Sequence, residues 1–402
     1  MEPLATTTTT GLNNKQGARL LVGRQPAAAK KVLFVIDTLQ PGGAEQSLLD
    51  IVTRFQELQP VVCHLYAGDL LKQQFIDKGV TVHSINLRKK YGFYSACKKL
   101  KTVVRTEQPD LVVACLTRSE LVARIVAYAC HIPVVGTLVS DLYGKAYNQF
   151  LSGKAKIGVA LFRLLNKTTA RFCKGFIANS AAIKKTNAIQ LGIPPEKIEV
   201  IHRGRDSRQF TFRPHSILPG KPVRFLSIGR LVLVKGQRDL ILAFQAFLQL
   251  HPGATLHIAG EGPERASLSA LIRELQLTEQ VTLLGNRNDV ATLIREYDCF
   301  VFPSRSEGFS GALVEAMLSG LPVLASNIPA NKEMIRHLET GYLFETGSVA
   351  GITGALAWFT GNRQMAGEMA AKAHEQALQH FELDAIARKW ENYLNKVTTG
   401  KT

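Results

Sequence analysis

Two carboxylates stand eight positions apart in PSRSEGFSGALVEAMLSGLPVLAS, residues 303–326: Glu307 in a glycine-punctuated stretch and Glu315 in the helical pattern that follows. A helix opening between Gly308 and Gly311 leaves the N–H groups near Ser310, Gly311 and Ala312 unpaired, and such a helix start favours an anion. Eight residues of helix rise about 12 Å, so the glutamates sit well apart with the amide patch between them. Ionised carboxylates only accept hydrogen bonds, which suits paired hydroxyls. The pattern fits a nucleotide sugar: ribose hydroxyls at one glutamate, sugar hydroxyls at the other, a diphosphate at the amides. Against it stands ordinary packing with two solvated acids.

Other strand-to-helix loops carry matching groups. In SIGRLVLVKGQRDLILAF (227–244), Arg230 leaves a strand and Lys235 follows five positions later, just before a helix. Such a pair can clamp phosphate oxygens, the arginine as a fork and the lysine as a point charge, or be two exposed basic residues. In LQPGGAEQSLL (39–49), Gly42 and Gly43 allow close backbone approach ahead of a helix start, or simply make a tight turn. The Gly-Glu-Gly-Pro turn of HIAGEGPERASL is explained by backbone conformation. LLGNRNDVATL offers Arg287 beside Asn288 and Asp289, either of which can cap the next helix. Arg287, Gly308 and Phe309 complete the candidate donor contacts.

These loops need a scaffold, and the hydrophobic rhythm supplies one. KVLFVIDTL, PVVCHLYAG, VTVHSINL, DLVVACLT, PVVGTLVS and GFIANS are continuous, β-branched runs separated by helical patterns. Runs of that kind are strands buried on both faces of a parallel sheet. The rhythm restarts with RFLSIGRL, TLHIAGEG, VTLLG, CFVFPS, PVLAS and GYLF. The expectation is α/β: two Rossmann-like, doubly wound parallel-sheet domains facing a central cleft, with ligands at the carboxyl ends of the strands. The boundaries read as a flexible tail over 1–29, a first domain over 30–205, a linker over 206–222, a second domain over 223–382 and a last helical segment over 383–402. The linker falls in HRGRDSRQFTFRPHSILPGKP (202–222), which has no helix or strand period.

At 402 residues the chain is long for one hydrophobic core, and 46% hydrophobic with 20% charged residues is ordinary globular composition. No apolar run reaches the length of a membrane span. Six scattered cysteines without zinc-type spacing fit a reduced, cytoplasmic setting. The net charge of +17 is uneven: residues 83–210 hold 22 Lys/Arg against 7 Asp/Glu, residues 211–402 hold 19 against 18. A basic first half faces an anionic partner or surface, or is merely well solvated.

In this order, GGAE, GRL…KG, AGEGP and the Glu307/Glu315 pair between FVFPS and AMLSGLPVLAS resemble the retaining family-4 glycosyltransferases of GT-B fold, over roughly residues 31–396. The second half matches more closely. The resemblance implies that Glu315 holds the ribose and Glu307 sits against the transferred sugar. Arg230 and Lys235 would bind the diphosphate and stabilise the leaving group, with Gly43 approaching the phosphates. It implies a nucleotide-diphosphate sugar as co-substrate, UDP first, no resident cofactor and no metal, and a final helix (383–396) crossing back to the first domain. Two departures touch the acceptor side. Val139 of GTLVSD stands where relatives often carry histidine, and HRGRD, with Arg203 and Arg205, replaces a common Pro-Asn-Gly turn. Arg118 and Asp141 are the candidates for the vacated acceptor side, or plain helix-start residues.

The expected activity is transfer of a sugar to a glycan or lipid-linked acceptor in polysaccharide or lipopolysaccharide assembly. RKKYGFYSACKKLKTVVR and KAKIGVALFRLLNK interleave cations with apolar residues, as helices lying on an anionic membrane do, or as helices packing on a sheet do. The corresponding location is cytoplasmic, peripheral on the inner face of the membrane. Two alternatives stay open: a nucleotide-sugar epimerase of the same fold, which needs acid–base residues in the cleft, and a nucleic-acid-binding protein using the basic 83–210 face. The latter lacks any recognisable nucleic-acid motif, so no nucleic-acid partner is expected.

Overall fold

The computed structural model of the chain describes residues 29–87, 92–149, 151, 153–214 and 221–400. The expected tail, apart from residue 29, lies outside them, as do 88–91 of the basic stretch and 215–220 of the linker.

The first sheet contains β1 (Lys30–Ile36), β2 (Leu58–Tyr66), β3 (Thr81–Leu87), β4 (Leu111–Ala114), β5 (Val134–Leu138), β6 (Gly175–Ala178) and β7 (Ile198–Val200). They lie in the order β3-β2-β1-β4-β5-β6-β7, all pairs parallel. Along β1, Leu33 and Val35 enter one hydrophobic cluster while Val32, Phe34 and Ile36 enter another. Helices cover both faces, which is why the strand reads as an unbroken apolar run. The last strand, β7, was not anticipated: it has three residues, directly after a turn with two prolines, too short to show a period.

The second sheet repeats the plan with β8 (Arg224–Ile228), β9 (Thr255–Ala259), β10 (Val281–Gly285), β11 (Cys299–Phe302), β12 (Val323–Ser326) and β13 (Tyr342–Phe344), ordered β10-β9-β8-β11-β12-β13 and parallel. In each sheet the strand order reverses beside the first strand, between β1 and β4 and between β8 and β11. Loops leaving such a switch point diverge and open a crevice at the carboxyl ends.

The chain passes between the domains twice, and the two passages are paired. Arg205 N–H donates to Phe381 O at 2.9 Å and Leu383 N–H to Arg205 O at 3.1 Å. Beyond that point helix Leu383–Thr398 lies on the first domain, with Leu383, Ile386, Leu394 and Val397 in the cluster around Val32 and Phe34. Its Glu391 accepts the N–H groups of Gln56, Glu57 and Leu58 at 2.8, 2.7 and 2.9 Å. Among the described residues, no helix is long and apolar enough to cross a membrane.

Candidate functional site

The loops from the two switch-point strands of the second domain meet. After β8 the chain makes one tight turn, Leu233–Lys235, before helix Gln237–Leu248; after β11 it runs through 303–310 into helix Gly311–Leu318. Arg305 N–H donates to Val234 O at 2.8 Å and ties the loops together. Across this seam Lys235 Nζ donates to Glu307 Oε1 at 2.5 Å and sits over the Phe302 ring. Arg230, at the start of the loop that carries Lys235, is exposed and holds no ion pair among the described residues. Ser310 Oγ caps the helix by accepting from Leu313 N–H at 3.3 Å, while the N–H groups of Gly311 and Ala312 reach no protein acceptor among the described residues. That leaves donors at a helix start, with cations alongside.

Glu315 is held from an unexpected direction. Arg205, from the passage between the domains, donates from Nε to Glu315 Oε1 at 2.6 Å. Its guanidinium lies on Gly311, where a Cβ would overlap it. Burial works against the Arg205 charge, but Glu315 and Asp50 more than restore it, and its pKa is raised. Phe309 is a candidate contact through its main chain alone. Its side chain is buried against His202 and Phe381, ring centroids 4.9 and 5.2 Å away, so it offers the cleft only its backbone.

The first domain closes the cleft with backbone. Gly42 and Gly43 open helix Gly43–Val52 directly after β1. Gly308 packs so tightly on Val139 O and the Asn179 amide that a Cβ there would collide with both. Asn179 Nδ2 donates to the same Val139 carbonyl at 3.1 Å. The position that departs from the family's histidine is therefore filled by a contact between the domains. Arg118 lies 3.5 Å from Asp37 and over the Tyr66 ring, and Asp141 folds against Gly144 with its carboxyl pushed up by burial. Among the described residues, no hydrogen bond or ion pair joins Arg118 to Asp141 or either of them to the donor loops. Arg287 is likewise spent on Asp289, at 2.7 and 2.5 Å, on the surface.

Sequence reasoning missed three groups here. Glu45 lies within electrostatic reach of both Arg203 and Arg230, and burial raises its pKa. Glu333 crosses from the second domain to accept the N–H groups of Ala181 and Ala182 at 2.8 and 2.7 Å, with His202 Nε2 at 3.3 Å. Arg205 and Glu315 are 110 positions apart, and only the substitution of HRGRD for the family turn hinted at a role.

Residues 41–209 match the family described as Glycosyltransferase Family 4, and residues 208–379 match Glycosyl transferases group 1. The chain belongs to glycosyltransferase family 4. Its GT-B fold is shared with HepE of Anabaena, solved with UDP and glucose: the TM-score is 0.78 at 23% identity, over 91% of this chain and 100% of that one. An uncharacterized glycosyltransferase of Haemophilus influenzae is 22% identical over 378 residues, 91% of this chain and 100% of its own. The UDP-Gal:alpha-D-GlcNAc-diphosphoundecaprenol alpha-1,3-galactosyltransferase of Escherichia coli is 26% identical over 275 residues, 66% of this family-4 chain and 70% of its own.

Proposed function

We propose that the chain transfers a sugar, with retention, from a nucleoside-diphosphate sugar to a glycan or lipid-linked acceptor in cell-surface polysaccharide or lipopolysaccharide assembly. The observation that carries this is the Lys235–Glu307 pair at the β8/β11 switch point, with Arg230 opening the loop that bears Lys235 and the free amides of Gly311 and Ala312 following Glu307. The diphosphate draws Lys235 from Glu307 and takes up the Arg230 fork; Glu307 is then free to accept hydroxyls of the transferred sugar. Glu315 receives the ribose. Charge developing on the leaving phosphate is met by fixed cations and amides, so the reaction needs neither metal nor resident cofactor in this reading. UDP is the first candidate, since HepE was solved with UDP-glucose and the Escherichia coli relative is named for UDP-Gal.

The acceptor side has a surface to match. Helix Gly153–Ala170 contains no acidic residue and bears Lys154, Lys156, Arg163 and Lys167. On the same helix Ile157, Leu161 and Leu164, one helical face by spacing, are 73%, 55% and 57% exposed. Such a face fits the anionic inner leaflet, where a lipid-linked acceptor resides. Vesicles with anionic lipid should sediment the protein at low salt and release it at high salt; no sedimentation at low salt removes this part of the reading.

The deciding experiment is calorimetry with UDP, GDP and ADP on the wild type and on Arg230→Ala/Lys235→Ala. One diphosphate should bind. Two charge-assisted contacts at about 1.5–3 kcal/mol each make the loss in the variant roughly 100-fold or more. No binding by the wild type, or equal binding by the variant, defeats the proposal.

A further inference from the structure

Arg203 is the cleft cation that the donor site above does not use. It stands between the two domains. Its NH1 lies 3.4 Å from Phe309 O, in the loop between Glu307 and Gly311, and 3.1 Å from where a Cβ on Gly43 would sit. It thus touches the helix-opening loop of each domain. Both loops start helices of eight or more residues.

Its charge is poorly met. Lys235 and Arg205 hold Glu307 and Glu315 at 2.5 and 2.6 Å, whereas Arg203 has no carboxylate within ion-pair distance among the described residues. Burial, with Arg205 adding to it, pushes its pKa down to about 10 against the pull of Glu307 and Glu45, so it still carries its proton at neutral pH. A half-buried guanidinium with five donors and one long bond to a carbonyl has donors left to take an anion. The nearby anions are Glu307, already paired with Lys235, and Glu45, curled against Gly42 and its own N–H at the opening of helix Gly43–Val52, within electrostatic reach of Arg203 and Arg230. A carboxylate thus already rests at the pole where those cations converge.

We propose that Arg203 is a phosphate-binding residue of the donor site, the cation that the first domain supplies to the diphosphate held by Arg230 and Lys235. This rests on the donor reading above. The guanidinium takes a phosphate oxygen from the first-domain side, and Glu45, repelled by the phosphate, gives up its place. Because Arg203 belongs to the first domain and its partners to the second, the diphosphate itself bridges them. Binding energy from the leaving group is then available only when the cleft is closed.

The test uses the full chain, with Arg203→Gln and Arg203→Lys, and calorimetry with the diphosphate that the wild type binds among UDP, GDP and ADP, its monophosphate and its nucleoside. Arg203→Gln should weaken the diphosphate at least 10-fold, the monophosphate less and the nucleoside not at all, and Arg203→Lys should recover part of the loss. Equal diphosphate binding in wild type and Arg203→Gln overturns the assignment while leaving the donor site standing. Equal weakening of all three ligands overturns it too, by showing a structural role. If Arg203→Gln does not fold, Arg203→Lys decides on the same ratio of diphosphate to nucleoside. A wild type that binds no diphosphate overturns the donor reading and this inference together.

Discussion

The two sheets have the same kind of switch point and equip it differently. At β8/β11 the second domain carries Arg230, Lys235, Glu307 and Glu315, with bonds running from loop to loop and to the passage between the domains. At β1/β4 the first domain presents Gly42 and Gly43 with Glu45 curled beside them, while the other charges of the switch point pair within the domain. Asp37 accepts Ser119 N–H and lies near Arg118, and Glu120 is buried 3.1 Å from Arg124, its carboxyl pushed up to about 7 by burial. A site that must hold a strongly charged ligand needs fixed side chains on one wall. The facing wall must let another backbone come close, and glycine serves that. The difference follows from what each wall must do.

That contrast holds only while the walls face each other, so the largest expected effect is at their strap. Glu333 joins second-domain carboxylate to first-domain amides, and Glu333→Gln should cost about 2 kcal/mol of docking. Burial pushes the Glu333 carboxyl up, but His202 and the two amides pull it below the ordinary range. A depressed carboxyl stabilises the folded state above its unfolded value and loses that contribution as pH falls through its folded value. In urea unfolding, the wild-type advantage over Glu333→Gln should be present at pH 7 and shrink below about pH 4. An advantage that grows towards acid pH would break the strap.

A smaller effect is expected inside the charged wall. Gly311→Ala crowds the Arg205 guanidinium off Glu315. Since the mobile end of a long side chain can yield, the stability cost stays at about 1 kcal/mol. The ribose end of the site is disturbed all the same, so nucleoside affinity should fall more than stability does; unchanged affinity would mean that Arg205 does not set the position of Glu315. The smallest effect marks the edge of the wall. Arg287 is committed to Asp289 in solvent, so Arg287→Ala should leave both the unfolding midpoint and the diphosphate affinity unchanged. A clear loss of affinity would extend the site to the loop after β10.

Much of this was open to reading from the chain. The buried parallel strands announced themselves because both faces are covered, and their loops followed strands as expected; only β7, at three residues, gave no period. Lys235 and Glu307 were both picked out, though not as partners. That the Phe309 ring packs in the core was not legible, because an aromatic residue in a glycine-rich loop reads the same whether it faces a ligand or the core. Arg287 was selected by the same logic of a cation after a strand, and its exposed ion pair with the neighbouring Asp289 was not part of that reading.

The sequence by itself determined the two-sheet architecture and the order of its charged loops, because strand periodicity, helix starts and glycine turns are local properties of a few residues. Tertiary structure decided which charges meet: that Arg205 holds Glu315, that Glu333 caps a helix of the other domain, and that Arg203 stands between Gly43 and Phe309 without a carboxylate of its own. Those pairings join residues roughly 100 to 160 positions apart. They depend on where two rigid sheets come to rest against each other, which no local pattern encodes.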